Sequence, residues 1–577
     1  MASNSATELE PRPYGGSDDG FVDDGADTFK KVDTIVSEVE GAGDGTKASD
    51  HYLSGVPLYT CMASLTITMF LVALDQTIIA TLLTEVGEKF NAFGKVNWIS
   101  SAFMLPMAVL SLSWGKFSVI IGRKYGILLA IVLFEVGSLI CALANSMDML
   151  IGGRVIAGIG ASGVQVLVLI IISEIVPIQK RGLAQGMIGA SFGFASVIGP
   201  LVGGSFASYV SWRWCFYINL PFGGIAFPAM WFYFNPPKPT GSVIAKLKKI
   251  DYVGSVFLTI FLVLVLLALT FGSTDNDWNA PIVISFFVVG GVFGILFFVW
   301  NFRFSHDPLI PWNVIKIRSV WSASFAFFFF YGSFMCNVLY TTIYFQVVKN
   351  LDPFHSGIRL LPLIIPVIIL SISVGALISI TRYIKPFLLI GSTIGTVGYG
   401  VQSLFGLDTS VGMTVGILIV TGTGTGFMFQ SCIMSVQVEA PKANGGVIIA
   451  TAISATTRQI GGIFGSALGQ TIMSIVFTRK VLQTPNMPDS IKDEITMLLN
   501  SPPTIFRLPE DLKESILQAF VHGYRDTVYF GTALFVCCFL ISLLTTGARV
   551  PKKVEPSSDD EAANSSNSNS ENSEKTN

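Results

Sequence analysis

Charge is scarce in this 577-residue chain: Asp, Glu, Lys and Arg make up 13% of it, roughly half the ~25% of an average soluble domain. Only four histidines occur, with no cluster that reads as a metal site and no visible nucleophile–base arrangement. The seven cysteines, Cys61, Cys141, Cys215, Cys336, Cys432, Cys537 and Cys538, fall in or beside apolar runs without metal-like or disulfide-framework spacing, so packing is their expected role. No GxxxxGK[ST] phosphate loop is found, which argues against ATP as an energy source. The acidic N-terminus lacks a basic region followed by a short apolar one, so no cleavable signal is expected and the first span would direct insertion.

What is abundant is apolar. Hydrophobic residues reach 51% and the mean hydropathy is +0.63, the composition of a polytopic membrane protein. The net charge of −2 hides an uneven distribution: residues 1–50 carry −8 and the tail from Pro551 carries −3, which leaves +9 for the middle. Both ends, 1–50 and 551–577, are expected to be disordered cytoplasmic tails, since they are acidic or Ser/Asn-rich and poor in large apolar groups.

A bilayer core takes about 20 apolar residues in helical form. Such runs occur near 57–82, 97–119, 126–146, 150–172, 183–207, 214–234, 252–271, 281–301, 320–346, 358–380, 384–406, 411–434, 447–477 and 527–547, fourteen in all. With the N-terminus inside, the inner loops carry Arg123-Lys124, Lys180-Arg181, Lys238, Lys246, Lys248, Lys249, Lys316, Arg318, Arg382, Lys385, Lys442 and Lys552-Lys553. The opposite short loops hold few basic residues, as the positive-inside rule requires. The expected organisation is a six-helix half at 51–240, a two-helix insert at 241–305 and a second six-helix half at 306–550. The last contains an external loop, 478–526, in which two segments with helical periodicity read as short surface helices. Transporters built from repeated halves place the substrate between them near the midplane.

The most informative stretch is 189–224, GASFGFASVIGPLVGGSFASYVSWRWCFYINLPFGG. Gly189, Gly193, Gly199, Gly203 and Gly204 surround Pro200 in an apolar run, where small residues permit close helix approach and a Gly-Pro step bends a helix. Trp212, Arg213, Trp214 and Tyr217 then suit a membrane–water boundary. This order resembles the antiporter motif and adjoining loop of the major facilitator superfamily, in its 14-span drug:proton antiporter branch. Further ordered motifs support the resemblance over roughly 57–547. Gly115-Lys116-Phe117-Ser118-Val119-Ile120-Ile121-Gly122-Arg123-Lys124 is similar to the superfamily signature after span 2, with Val119 where the family pattern has Asp. Leu150-Ile151-Gly152-Gly153-Arg154-Val155 is similar to the span-4 motif whose arginine is implicated in proton coupling. Thr457-Arg458-Gln459-Ile460-Gly461-Gly462 is similar to an Arg-Gln-Gly segment of the 14-span branch.

The resemblance implies an all-α major facilitator fold, with two six-helix halves plus two central helices, and proton-driven export of a small amphipathic organic compound by alternating access. Fungal toxin and multidrug exporters are the nearest pattern. The alternative on the same fold is uptake or vacuolar transport of a nutrient, siderophore–iron complex or basic amino acid. A non-transporting receptor would need an ordered signalling domain that neither tail offers.

An arginine within a span needs a partner or a wet path. Asp75, well along span 1, and Arg154, near the outer start of span 4, fall at similar depth and can pair; the blander reading has Arg154 snorkel to the interface. Asp75 and Arg154 are therefore the candidate proton-coupling residues. Glu135, Arg458 and Gln459 are candidates for the substrate or proton path, with a structural role the stronger reading for Glu135. Glu174 is placed near the inner face, where it can meet the Lys180/Arg181 loop or replace the acid missing at Val119. Gly115, Gly122, Arg123 and Lys124, with the glycines and Pro200 of 189–204, are expected to act in gating and packing. Gly158-Ile159-Gly160-Ala161-Ser162-Gly163 and Gly422–Gly426 match dinucleotide-like glycine spacing, but lie inside apolar helices, where packing is the expected use. The 45 phenylalanines agree with bulky amphipathic substrates, although most of them would face lipid or other helices. No cofactor, metal or nucleic acid is expected. The expected partners are an organic substrate, protons and the lipid bilayer, with the protein a monomer in the plasma membrane or, alternatively, the vacuolar membrane.

Overall fold

The computed structural model describes residues 51–79, 82–90, 92, 95–237, 251–275, 278–442, 445–484 and 509–551, which lie within one unit, Glu40–Lys553. Fourteen long helices carry the architecture: α1 Gly55–Ile78, α2 Asn97–Ile121, α3 Arg123–Ala142, α4 Met147–Ile175, α5 Ile178–Tyr209, α6 Asn219–Tyr233, α7 Tyr252–Asp275, α8 Pro281–Val299, α9 Arg318–Val347, α10 Pro353–Thr381, α11 Lys385–Gln402, α12 Val411–Glu439, α13 Gly446–Gln483 and α14 Glu510–Leu543. Each apolar run becomes a helix because only a helix satisfies its own backbone hydrogen bonds within hydrocarbon. Thirteen helices among the described residues are long and apolar enough to cross a membrane. The remaining expected run is the helix α11, which has 18 residues, opens on Lys385 and carries Gly, Ser and Thr through its middle; it packs between α12 and α14 all the same.

Successive crossings bring the described basic loops, at Arg123-Lys124, Lys180-Arg181, Lys316, Lys385 and Lys442, to one end of the bundle, called here the basic face. Contacts there join distant helix ends: Lys124 reaches Asn235 after α6, and Lys385 donates to the carbonyls of Leu543 and Thr545 at 3.1 and 2.8 Å. Glu439 and Thr546 are hydrogen-bonded. At the opposite face Lys95 pairs with Asp148, and Arg213 donates to the Ala144 carbonyl at 2.7 Å.

The first half groups α1–α6 and the second α9–α14, with the main contacts between halves made by α5 on α10 and α2 on α13. The insert packs through α7 against α2 and α13. Its second helix, α8, buries only Val283, Gly290, Gly294 and Phe297, the glycines admitting Val265, Leu264 and Phe261 of α7. Asp251 fastens the start of α7 to the end of α8 by accepting from Trp300 Nε1 at 2.8 Å and from the Gly254 amide at 2.7 Å.

Two expectations change. The segment at 509–526 is not a separate surface helix: Ile516, Ala519 and Phe520 are buried in the main core, so the helix continues into the membrane as α14. Its companion, the helix expected at 487–500, lies outside the described residues, as do the terminal tails except Pro551. Trp212 is not an interfacial anchor; it is 1% exposed, with edge contacts to Phe90 and Phe216, while Trp214 takes the exposed position.

Candidate functional site

Glycines of α4 bring the first candidate pair together. A β-carbon on Gly158 would strike the Phe103 carbonyl of α2, and one on Gly160 would strike the α3 backbone at Phe134, so the three helices close tightly. The dinucleotide-like run is thus a packing face. Ser146 caps α4 by accepting from the Met149 amide at 3.2 Å, which sets Arg154 in the third turn. Arg154 Nη1 binds Asp75 Oδ2, both side chains at or below 1% exposure. Arg154 Nε donates to the Ile99 carbonyl at 3.0 Å, and the guanidinium lies 4.1 Å from the Phe103 ring centroid. The pair replaces the snorkelling alternative. Asp75 Oδ1 has no hydrogen-bond partner among the described residues, so one carboxylate oxygen is held while the other can accept a proton.

Glu135 of α3 lies against Gly223 of α6, where any β-carbon would overlap its carboxyl. Neither of its oxygens has a hydrogen-bond partner among the described residues. Arg458 of α13 is 4% exposed, stacked over Tyr331 and Phe327 of α9 at 4.9 and 5.6 Å. Among the described residues its Nε and Nη2 have no hydrogen-bond partner, nor does Gln459 Oε1. The structure does not bring Arg458 and Gln459 to the Asp75 pair: they belong to the second half.

At the basic face Gly122 has φ +92°, a conformation that glycine adopts without a β-carbon penalty, and this turns α2 into α3. Arg123 is 1% exposed and grips Glu174 from the end of α4, with Nε to the two carboxylate oxygens at 2.9 and 3.0 Å and Nη2 to Oε1 at 2.8 Å. Lys124 also lies over Trp231 at 5.6 Å. Val119 packs half-buried against the core.

The antiporter-like stretch serves a wider purpose than holding the first half together. A β-carbon on Gly193 would meet Ile368 of α10 at 2.9 Å, and Gly189 faces Ser371. Gly182 and Gly375 approach backbone to backbone, and Gly186 sits on the Ser371 carbonyl. These glycines therefore join the two halves, while Gly199 receives Thr77 of α1. The Gly203 carbonyl lies 4.0 Å from Cys215 Sγ, Gly204 is half-buried, and α5 runs through Pro200 without a break.

Three inter-half contacts had no signal in the sequence beyond residue type. Gln185 donates to Gln437 at 2.8 Å, and Gln437 donates to Thr451 at 3.2 Å. Gly115 faces Ala452 of α13, a β-carbon there coming within 2.8 Å. Lys116 Nζ reaches the connector from the insert to α9, binding the Asp307 carbonyl, Asp307 Oδ1 and the Pro308 carbonyl at 2.9, 3.0 and 2.7 Å. All lie toward the basic face. Toward the opposite face a cavity of about 150 Å³ separates α2, α7, α9 and α13, lined by Ser101, Thr270, Tyr340, Ser466 and Gln470 among others. The halves meet at the basic face, and this cavity lies between them toward the other.

Two helical bundles joined by glycine faces, with buried ionisable groups within each, have the architecture of a membrane transporter. Residues 65–466 match the family model described as Major Facilitator Superfamily. The chain is 35% identical to "Efflux pump aflT" of Aspergillus parasiticus over 455 residues, covering 78% of this chain and 88% of that one. It is 32% identical to "Azole resistance protein 1" of Saccharomyces cerevisiae, covering 77% and 82%. It is 30% identical to "Vacuolar basic amino acid transporter 5" of the same yeast, covering 87% and 94%. Its fold matches a solved structure of the human organic anion transporter MFSD10 with a TM-score of 0.56 and 13% identity, over 85% of this chain and 100% of that one. The chain belongs to the Major Facilitator Superfamily, and it is a multi-span transporter rather than an enzyme.

Proposed function

We propose that this transporter exports a small amphipathic organic compound in exchange for protons, with the basic face in the cytoplasm. The observation that carries the proposal is the buried Asp75–Arg154 pair, which leaves Asp75 Oδ1 open to a proton in the half of the membrane away from the closed gate. A proton from outside adds to Asp75, its bond to Arg154 weakens, and the first half is released to move against the second. Opening of the basic face delivers that proton to the cytoplasm and admits substrate. Two relatives named as an efflux pump and a resistance protein support this direction of transport. The signature loop keeps its gating role through Arg123 and Glu174, the latter supplying an acid that Val119 does not. Gly115, Gly189 and Gly193 supply the contact between halves.

The test is reconstitution of the full chain in proteoliposomes loaded with the neutral dye Nile red. Export that rises with an imposed pH gradient and collapses with nigericin supports the reading; gradient-independent movement contradicts it. Transport of a basic amino acid is the second reading, favoured by the vacuolar relative. Arg458, a buried cation without an acid beside it, stands against a cationic substrate; gradient-driven arginine uptake in the same vesicles would reverse that preference.

A further inference from the structure

We propose that Arg458 is the docking point for an acidic group on the transported compound, so that the substrates are organic acids: a carboxylate, enolate or phenolate beside a flat apolar body. The proposal rests on the export reading and narrows its substrate class. Among the fully buried or nearly buried arginines, Arg123 and Arg154 each hold a carboxylate, and Arg181 donates to the Val176 carbonyl at 3.1 Å. Arg458 is different. No acidic side chain among the described residues pairs with it, and two of its guanidinium nitrogens have no hydrogen-bond partner. A buried cation without a counter-charge is strongly unfavourable, and stacking on Tyr331 and Phe327 offsets only part of that penalty. An anion arriving with the ligand removes the imbalance, which makes this position selective for one sign of charge.

The surroundings fit such a ligand. Tyr331 Oη, a donor beside Arg458, is also without a hydrogen-bond partner among the described residues. Phe429 of α12 stands edge-on to Phe330 at 4.9 Å and Phe334 at 5.4 Å. Phe192, from the other half, reaches Tyr331 and Phe429 at 6.2 and 6.3 Å, so the aromatic wall spans both halves. The cavity begins farther along the same helix, at Ile463 and Ser466, about 8 Å from Arg458 at 1.5 Å per residue. Its volume of about 150 Å³ suits one ring, less than the ~300–1,000 Å³ of a site for a whole drug-sized molecule. The acid would sit at Arg458, with its apolar body directed toward the cavity.

The experiment measures equilibrium binding of 4-phenylbutyric acid and its methyl ester to the purified full chain by isothermal titration calorimetry, so it reads this site whether or not the protein exports. Wild type is expected to bind the acid at least tenfold more tightly than the ester. R458Q should abolish that ratio while keeping or raising the thermal midpoint, because it removes an unbalanced charge; R458K should retain part of the ratio. Equal binding of the two probes, binding of neither, or a preference that survives R458Q overturns the assignment. Gradient-driven export of neither Nile red nor the acid probe in wild type would instead sink the export reading alone.

Discussion

Replacing Lys116 by methionine should open the basic face. The ammonium is 13% exposed and joins α2 to the connector leading into α9 through three acceptors, two of them main-chain carbonyls. Methionine keeps the apolar stem and removes only the charge. A hydrogen bond to a charged group contributes about 1.5–3 kcal/mol; the exposed Asp307 carboxylate adds about 0–1 kcal/mol, so one such bond is a fair net loss for the whole set. Converted at about 1.4 kcal/mol per factor of ten, the population open at the basic face should rise roughly 10- to 100-fold. Ser371 is fully buried beneath Gly186 and Gly189 at this contact. Labelling of Ser371→Cys by an impermeant maleimide, in vesicles exposing the basic face, therefore follows the open population. D307N should raise the rate by less than tenfold, because both carbonyl acceptors survive. An unchanged rate in K116M, or a larger effect in D307N than in K116M, would refute the reasoning.

Two more outcomes follow from packing and charge. Gly375→Leu places a side chain into the Gly182 carbonyl, a backbone group that cannot step aside, and should part α5 from α10. The same labelling assay should show a faster reaction than in K116M, and a slower one contradicts the contact. E174Q removes the carboxylate charge that Arg123 grips and should lower stability by about 3–5 kcal/mol, whereas R123M/E174M should lose less than E174Q alone; thermal denaturation in detergent compares them.

The membrane class and the helical runs were legible because hydrocarbon imposes one solution on any long apolar segment. The Asp75–Arg154 pair was legible because depth along a helix follows from residue count, and an arginine in a span calls for a partner. Arg458 stood out for the same reason, but that it faces rings and not an acid depends on α9, over a hundred residues earlier. The reach of Lys116 to Asp307 was invisible, since nothing local in GKFSVIIGRK indicates a partner 191 residues away. The same holds for Gly189 and Gly193, whose spacing announces a close helix neighbour without saying whether it belongs to the same half or the other. The run at 509–526 shows the opposite error: its acidic start suggested a surface helix, while its buried apolar stripe continues α14.

The most direct test of proton coupling compares two modes of the D75N protein in proteoliposomes: export driven by a pH gradient, and exchange of labelled for unlabelled substrate at equal pH. Coupling through Asp75 predicts that gradient-driven export falls to the no-gradient level while exchange persists. Gradient-driven export at the wild-type rate would contradict it.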